Sequence, residues 1–352
     1  LGELCDILDF QRKPITKRDR IAGIYPYYGA TGIVDYVNHF IFDEPLILVG
    51  EDGAKWASGE TTAFQVAGRC WVNNHAHVLR PHRNTVLDQW LVNYLNHSDL
   101  TEFVSGLTVP KLNQGNLRLI PIPIPPLPEQ QRIVGVLDEA FAGLATAQAH
   151  AEKNLQNVRA LFESHLHSVF SQRGKGWVEK TLGETCEMYQ PKTIGTKDLV
   201  PDGAYPVFGA NGIIGRYDKF NHEEPQLLIT CRGATCGAVN ISEAKSWITG
   251  NAMVVRPFND SLDIVFLEYA FRGGIDISQA ITGSAQPQIT RTNLSPLSIS
   301  FPQSVSEQKR LASSFRALSA ETQRLSALYE QKLAALAALK KSLLHQAFSG
   351  EL

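Results

Sequence analysis

The stretch IPIPIPPLPEQQRIV, residues 120–134, alternates Ile with Pro and then passes directly into a helical pattern. Alone it admits two readings. One is a polyproline ligand, since Pro123 and Pro126 have the PxxP spacing. The other is an edge strand running into a helix, where proline is tolerated on an unpaired side. A second stretch, LSISFPQSVSEQKRL at 297–311, decides between them. It keeps the alternation through Ile299 and Phe301 and the Glu-Gln-x-Arg helix start, but loses most of the prolines. A PxxP ligand does not survive that exchange. The expected form is a last edge strand, with Ile120, Ile122 and Ile124 facing one side. It leads to a helix whose first turn holds Pro128 in one case and is capped by Ser306 in the other.

The correspondence extends outward over nearly the whole chain. LGELCDIL at 1–8 returns as LGETCEMY at 182–189, and YPYYGATGIV at 25–34 as YPVFGANGII at 205–214. EPLILVGEDG at 44–53 matches EPQLLITCRG at 224–233, and HAHVLRP at 75–81 matches NAMVVRP at 251–257. GLTVPKLNQGNL at 106–117 pairs with GSAQPQITRTNL at 283–294, and SHLHSVF at 164–170 with SLLHQAF at 342–348. The order is preserved at a nearly constant offset, so the chain is one module written twice, with a period too long for a solenoid. Within each copy, PLILVG and QLLIT read as buried strands and HVLRP and MVVRP as shorter ones, while VLDQWLVNYLNH and LDIVFLEYAFRG read as short amphipathic helices.

Behind each globular part lies a long segment with no internal proline. Its apolar residues recur at the helical period. The first stripe runs through Ile133, Leu137, Leu144, Leu155 and Val158, the second through Leu311, Phe315, Leu318, Leu325, Leu333 and Leu336. Lys340 interrupts the second, and the neighbouring Leu339 is expected to carry the contact. A helix of about 42 residues with one apolar stripe needs an equally long partner, and the other copy supplies it. The predicted fold is α+β: two similar mixed globular domains separated by an antiparallel coiled coil of two long helices, related by a pseudo-two-fold repeat. The boundaries are 1–127 and 174–303 for the globules, 128–171 and 304–348 for the helices.

Composition bounds the function. The 352 residues suffice for two cores. No apolar run approaches a membrane span, and the first residues have neither the basic start nor the apolar core of a signal peptide. Leu1 is expected to lie downstream of a trimmed or upstream natural start. Five cysteines, an odd number at low density, point to a reducing compartment and a cytoplasmic protein. Cys231 and Cys236 in CRGATC lack further ligands at metal spacing, and no metal is expected. His75 and His77 alternate along a strand, but the second copy has Asn251 and Met253 there, so a surface or packing role is expected.

Catalytic signatures are missing. The sequence has no GxxxxGK[ST] loop, no GxGxxG after a strand, no GxSxG and no HExxH. It also lacks the NPPY or DPPY tetrapeptide of an amino-methyltransferase acting on DNA bases. The glycine pairs Gly29–Gly32 and Gly209–Gly212 read as turns. A duplicated protein without an evident active site, with twofold symmetry, suits a bipartite ligand such as DNA half-sites.

Each copy resembles a target recognition domain plus spacer helix of the specificity subunit of type I restriction–modification systems. The resemblance is carried by WVEKTLGETCEMY (177–189), YPVFGANGIIG, the run GSAQPQITRTNLSPLSISFPQSVSEQKRL into the helix, and the terminal LLHQAFSGEL (343–352). It implies a non-catalytic subunit whose two domains each read half of a split double-stranded DNA target. The helices would set the gap and hold two methyltransferase subunits, which bring S-adenosylmethionine and modify adenine. Restriction subunits would add an ATP-driven nuclease. No cofactor is expected in this chain. Its first copy opens at LGEL, without the Trp-containing lead of 177–181, and its KLNQGNLR replaces QITRTNLS, which implies two different half-sites. A fused specificity module of a related restriction class, and a coiled-coil adaptor that binds only proteins, are the rival readings. The adaptor draws support from the net charge of −2.

That charge constrains how DNA is held. Residues 1–127 and 174–303 each carry 11 Lys and Arg against 13 Asp and Glu, so phosphate contacts must come from local clusters. Arg12, Lys13, Lys17, Arg18 and Arg20 form one in the first copy; Lys192 and Lys197 are its counterpart in the second. Base reading needs Arg, Lys, Asn or Gln. The candidates are Lys111, Asn113, Gln114 and Arg118 in the first copy, and Gln286, Gln288, Thr290 and Arg291 in the second, with Arg232 a further DNA-binding candidate. Tyr27, Tyr28, Phe208 and Asn211, beside the glycine turns, are expected to pack on sugars or thymine methyls.

Overall fold

The computed structural model describes residues 1–106, 108–209, 211–283 and 286–352. The chain divides into two units, Leu1–Glu152 with Gln331–Leu352, and Lys153–Glu330. Unit 1 runs β1 (Cys5–Ile7), β2 (Ala22–Gly29), β3 (Gly32–Val37), β4 (Phe42–Asp43), β5 (Leu46–Gly50), β6 (Ala63–Val66), β7 (Arg69–Val72), β8 (Ala76–Pro81), α1 (Asp88–His97) and α2 (Gln114–Leu119). Then comes α3 (Leu127–Gln172), which continues into unit 2. Unit 2 adds β9 (Trp177–Thr181), α4 (Leu182–Thr185), β10 (Cys186–Tyr189), β11 (Tyr205–Gly209), β12 (Gly212–Tyr217), β13 (Leu227–Thr230), β14 (Val239–Ile241), β15 (Trp247–Ile248) and β16 (Ala252–Pro257). After these come α5 (Ile264–Gly273), β17 (Ile281–Thr282), β18 (Gln288–Ile289), α6 (Arg291–Leu294), β19 (Ser298–Pro302) and α7 (Val305–Ser349), whose last part belongs to unit 1.

The main sheets repeat each other: the order β1-β8-β5-β6 in unit 1 is matched by β10-β16-β13-β14 in unit 2. A central strand covered on both faces needs apolar residues on both, which is why PLILVG and QLLIT do not alternate. Ile47 and Val49 of β5 enter the core beneath the helices, while Leu46 and Leu48 enter the core shared with the second sheet. In β13, Leu227 and Ile229 face the helices and Leu228 faces the other way. The glycine pairs close hairpins. Gly32 and Gly212 have φ of +134° and +110°, open to glycine and strained for other residues. Ala210 lies outside the described residues. All five cysteines are free thiols.

The opening stretch folds as a joint, with two corrections. Its second copy is a strand, β19, paired antiparallel with β9 from Ser298–Thr181 to Pro302–Trp177. Its first copy, 120–126, is not a strand. No described strand pairs with this segment, and a strand exists only where a neighbour bonds to it. Ile120 is buried, but Ile122 is half-buried and Ile124 exposed, so the three do not share one covered face. The cap of α7 is Ser304 rather than Ser306: its carbonyl accepts from the amides of Glu307 and Gln308, both at 3.1 Å. Pro128 does lie in the first turn of α3.

The repeated Glu-Gln-x-Arg explains the rigidity of the joint. Gln130 and Gln308 are fully buried. The Gln130 Oε1 accepts from the Leu87 amide at 2.9 Å, and its Nε2 donates to the carbonyls of Thr85 and Pro125, both at 2.9 Å. Gln308 does the same with the Asp263 amide at 2.7 Å and the carbonyls of Ser261 and Pro302 at 2.9 and 2.7 Å. One amide thus ties the long helix, the start of the short helix and the preceding chain together in each unit.

The long helices have 46 and 45 residues and run antiparallel within each unit. In unit 1, Ile133 and Leu137 of α3 share a core with Leu344 and Ala347 of α7. In unit 2, Leu166 and Phe170 share one with Ala312 and Phe315, and Arg159 pairs with Glu330 at 2.8 Å. Leu155 and Val158 are buried; Leu144, Leu311, Leu318, Leu325, Leu333 and Leu336 are half-buried. Leu339 does not replace Lys340 in the stripe. It is exposed, and the Lys340 ammonium instead lies 5.1 Å from the ring centre of Phe141.

Candidate nucleic-acid interface

In each unit three chain segments meet at the end of the main sheet. In unit 1 they are the residues after β5, the residues before β8, and the loop that leads into α2. Asp52 bridges Lys111, the Leu112 amide donates to the Glu51 carbonyl at 2.8 Å, and the Glu51 amide donates to the His75 carbonyl at 2.8 Å. Unit 2 repeats each bond. Arg232 bridges Gln288, the Ile289 amide donates to the Cys231 carbonyl at 2.9 Å, and the Cys231 amide to Asn251 at 3.2 Å. The backbone platform is the same. The side chains are not.

Unit 1 carries a charged cluster. His77 is fully buried, with Nδ1 2.6 Å from Asp9 Oδ2 and Nε2 2.7 Å from the Leu112 carbonyl. Both ring nitrogens thus face acceptor oxygens. Arg12 donates to Glu51 at 2.5 Å and to the Ala76 carbonyl at 2.7 Å; Lys111 lies 2.9 Å from Glu51. Burial disfavours the charged Asp9, but the bonds from His77 and the Val78 amide, with the Arg12 charge, outweigh it and hold the carboxyl below its ordinary value. His75 bonds Asp52 at the surface. Asp9, Glu51 and His77 bring ligand-type atoms within 4.8 Å of one another, the one such group among the described residues. Arg12 and Lys111 pair with its carboxylates.

Unit 2 has neutral groups in the same places. Gln190, Cys231, Asn251 and Met253 stand where Asp9, Glu51, His75 and His77 stand in unit 1. Burial raises the Cys231 thiol to about 11, with Cys236 adding to the rise, so it stays uncharged. Above this neutral base, Arg232 and Arg291 are exposed, and neither side chain has a hydrogen-bond or ion-pair partner among the described residues. Gln286 and Gln288 are exposed, the latter at the start of β18. Thr290 caps α6 by accepting from the Asn293 amide at 3.3 Å. Lys192 is exposed beside Gln190 and Thr193, which bond Gly250 at 2.9 and 3.1 Å. Lys197 is exposed further along.

Several expected contact residues are engaged elsewhere. Arg12 is half-buried in the ion pairs above, and Arg20 pairs with Asp35 at 3.0 Å and covers the Tyr27 ring at 4.5 Å. The basic loop therefore leaves Lys13, Lys17 and Arg18 exposed, the last beside Asp19 at 3.3 Å. Tyr27 is 1% exposed and its hydroxyl accepts from the Ile15 amide at 2.9 Å. Tyr28 packs on Phe64, and Phe208 lies in the core between the sheets. These three rings fill sheets rather than face a ligand, because the hairpin turns their strand inward; only Asn211 stays exposed. Asn113 caps α2 through the Asn116 amide at 2.9 Å, and Gln114 reaches Asp9 at 3.2 Å. Arg118 sits at the other end of α2, beside Gly2. The reading of the sequence missed Glu51, Asp52 and Asp9. For Glu51 and Asp52 the signal was the exchange of EDG for CRG, and for Asp9 its exchange for Gln190.

The fold and this doubled platform define a class: two α+β units, each with half of two long helices, presenting different polar side chains on one repeated frame. The family model described as "Type I restriction modification DNA specificity domain" matches residues 1–155 and 174–334, and the chain belongs to that family. A Haemophilus influenzae protein named "Putative type I restriction enzyme specificity subunit S.HindORF215P" is 39% identical over 143 residues, 40% of this chain and 36% of that protein. The EcoprrI specificity subunit of Escherichia coli is 28% identical over 198 residues, 52% of this chain and 48% of its own length. The chain thus spans between about a third and a half of the length of these relatives. The HsdS subunit of Thermoanaerobacter tengcongensis has the same fold, with a TM-score of 0.60 at 20% identity, covering 100% of this chain and 96% of that one.

Proposed function

We propose that this chain is the non-catalytic, sequence-reading subunit of a type I restriction–modification enzyme. Each unit takes one half of a bipartite, asymmetric double-stranded DNA target. The long helices set the gap between the halves and dock two methyltransferase subunits. S-adenosylmethionine and ATP act on the methyltransferase and restriction subunits, and the assembly works in the cytoplasm. No helix among the described residues is long and apolar enough to cross a membrane.

The observation that supports this reading is the doubled platform. Asp52–Lys111 and Arg232–Gln288 occupy the same place on the same backbone, yet present different hydrogen-bonding groups. A frame kept constant beneath changed side chains is what reading two different base sequences requires. Arg232 and Arg291 also answer the objection of net negative charge, since they are local cations free of carboxylates. The test is a titration with the methyltransferase present. Arg232→Ala or Arg291→Ala should weaken binding by about 1–3 kcal/mol and relax preference in the second half-site only. Unchanged affinity and preference in both variants would favour a chain that joins proteins without reading DNA.

A further inference from the structure

Unit 1 holds a groove of about 590 Å³ where α1, α3 and α7 meet. Its floor is apolar, formed by Val92, Phe141, Leu144, Leu336 and Leu344. Asn93 lines it and is 8% exposed. Its Oδ1 accepts from Gln89 at 2.9 Å, but its Nδ2 has no partner among the described residues. A buried amide donor left unbonded is costly, and this one belongs to a cavity wall. Lys340 and Lys341 stand at the mouth. The one carboxylate among the lining residues, Glu60, faces Lys55 at 3.7 Å instead. Burial, with His345 and Lys341 nearby, lowers the His97 pKa, so the lysines supply the positive charge at neutral pH.

The duplicated module shows what a closed version looks like. By the sequence correspondence, Asn93 is matched by Tyr269, Lys340 by Phe162, Leu137 by Phe315 and Phe141 by Ser319. In unit 2, Tyr269 is buried against Phe162 and Phe315, with ring centres 6.1 and 5.3 Å apart. Aromatic rings thus stand at the positions of Asn93 and Lys340 and pack on each other. The polar exchange is concerted: the amide donor and the ammonium replace two of the three rings.

We propose that this groove of unit 1 is a docking site for an amphipathic segment of a partner subunit that presents an apolar side chain beside a carboxylate. The apolar part covers Phe141 and Leu336, the carboxylate meets Lys340 and Lys341, and a backbone or side-chain oxygen accepts from Asn93. In unit 2, Tyr269 and Phe162 stand in place of Asn93 and Lys340, so this pairing of amide donor and ammonium is not repeated there. The inference rests on the reading that the chain works with methyltransferase subunits, and makes the two copies unequal in how they hold them.

The test copies unit 2 into unit 1. Asn93→Tyr with Lys340→Phe places in the groove two of the rings that pack together in unit 2, and Lys340→Glu with Lys341→Glu reverses the charge while leaving it open. Both double variants are assembled with the methyltransferase subunit and titrated, with thermal unfolding as the control. The expected result is a loss of at least about tenfold in affinity for one of two methyltransferase subunits in both variants, with an unchanged melting temperature. Equal affinity and stoichiometry in wild type and both variants would overturn the docking site while leaving the DNA-reading function standing. Weakened DNA binding with intact subunit assembly would also overturn it, in favour of a nucleic-acid groove. Failure of the wild-type chain to bind methyltransferase at all would instead overturn the underlying functional reading, and the docking site with it.

Discussion

Arg12 and Arg232 show how far a side chain's neighbours decide its role. Both are arginines next to the same repeated platform, yet one closes a buried ion-pair cluster and the other stands free. Sequence spacing identified the basic loop 11–20 but not that Arg12 and Arg20 turn inward, because their partners, Glu51 and Asp35, come from distant strands. Tyr27 and Phe208 likewise turn into the sheets rather than outward. Gln130 and Gln308, by contrast, were visible as a repeated residue, and only their buried bonding was hidden. Replacing Gln308 with Leu strands one amide and two carbonyls, and should cost about 2–3 kcal/mol. A lower urea midpoint at constant slope checks this. Asp9 gives a pH prediction. Its folded pKa lies below the unfolded value near 3.8, so its contribution is full above that value and is lost as pH falls through the folded one. Asp9→Asn should flatten that acid limb in a plot of melting temperature against pH. An unchanged limb would show that His77 and Arg12 do not stabilise the carboxylate.

At the scale of elements, the helices were legible and the last strand was only half so. A helix carries its period within its own sequence, so α3 and α7 appear at close to their expected limits. A strand is made by its neighbour: β19 forms because β9 lies beside it, and 120–126 has none despite a similar alternation. The pairing face of the helices follows from burial. Leu137→Ala and Leu166→Ala, at fully covered positions, should each cost about 2–5 kcal/mol. Leu161→Ala and Leu328→Ala, both about half exposed, should stay within about 0.5 kcal/mol. Denaturant unfolding separates the two pairs. Equal losses at all four sites would mean that another surface covers the exposed leucines.

At the scale of the whole molecule, the internal repeat carried most of the inference, because two copies expose which features the module needs and which it varies. What the repeat could not reveal is that the varied positions converge in space. The net charge of −2 allows few phosphate contacts. Lys13, Lys17, Lys192, Arg232 and Arg291 are exposed candidates without an ion pair among the described residues; with one phosphate for each, log affinity should fall with log salt at a slope of about −4 to −5. A much steeper slope would place DNA on another surface. The central claim, that the two platforms read two different halves of one target, is tested most directly by mapping methylated adenines in DNA from cells that carry this chain with its methyltransferase. The account predicts a split, asymmetric motif, of which Arg232→Ala alters only one half. A palindromic motif, or no motif, would contradict it.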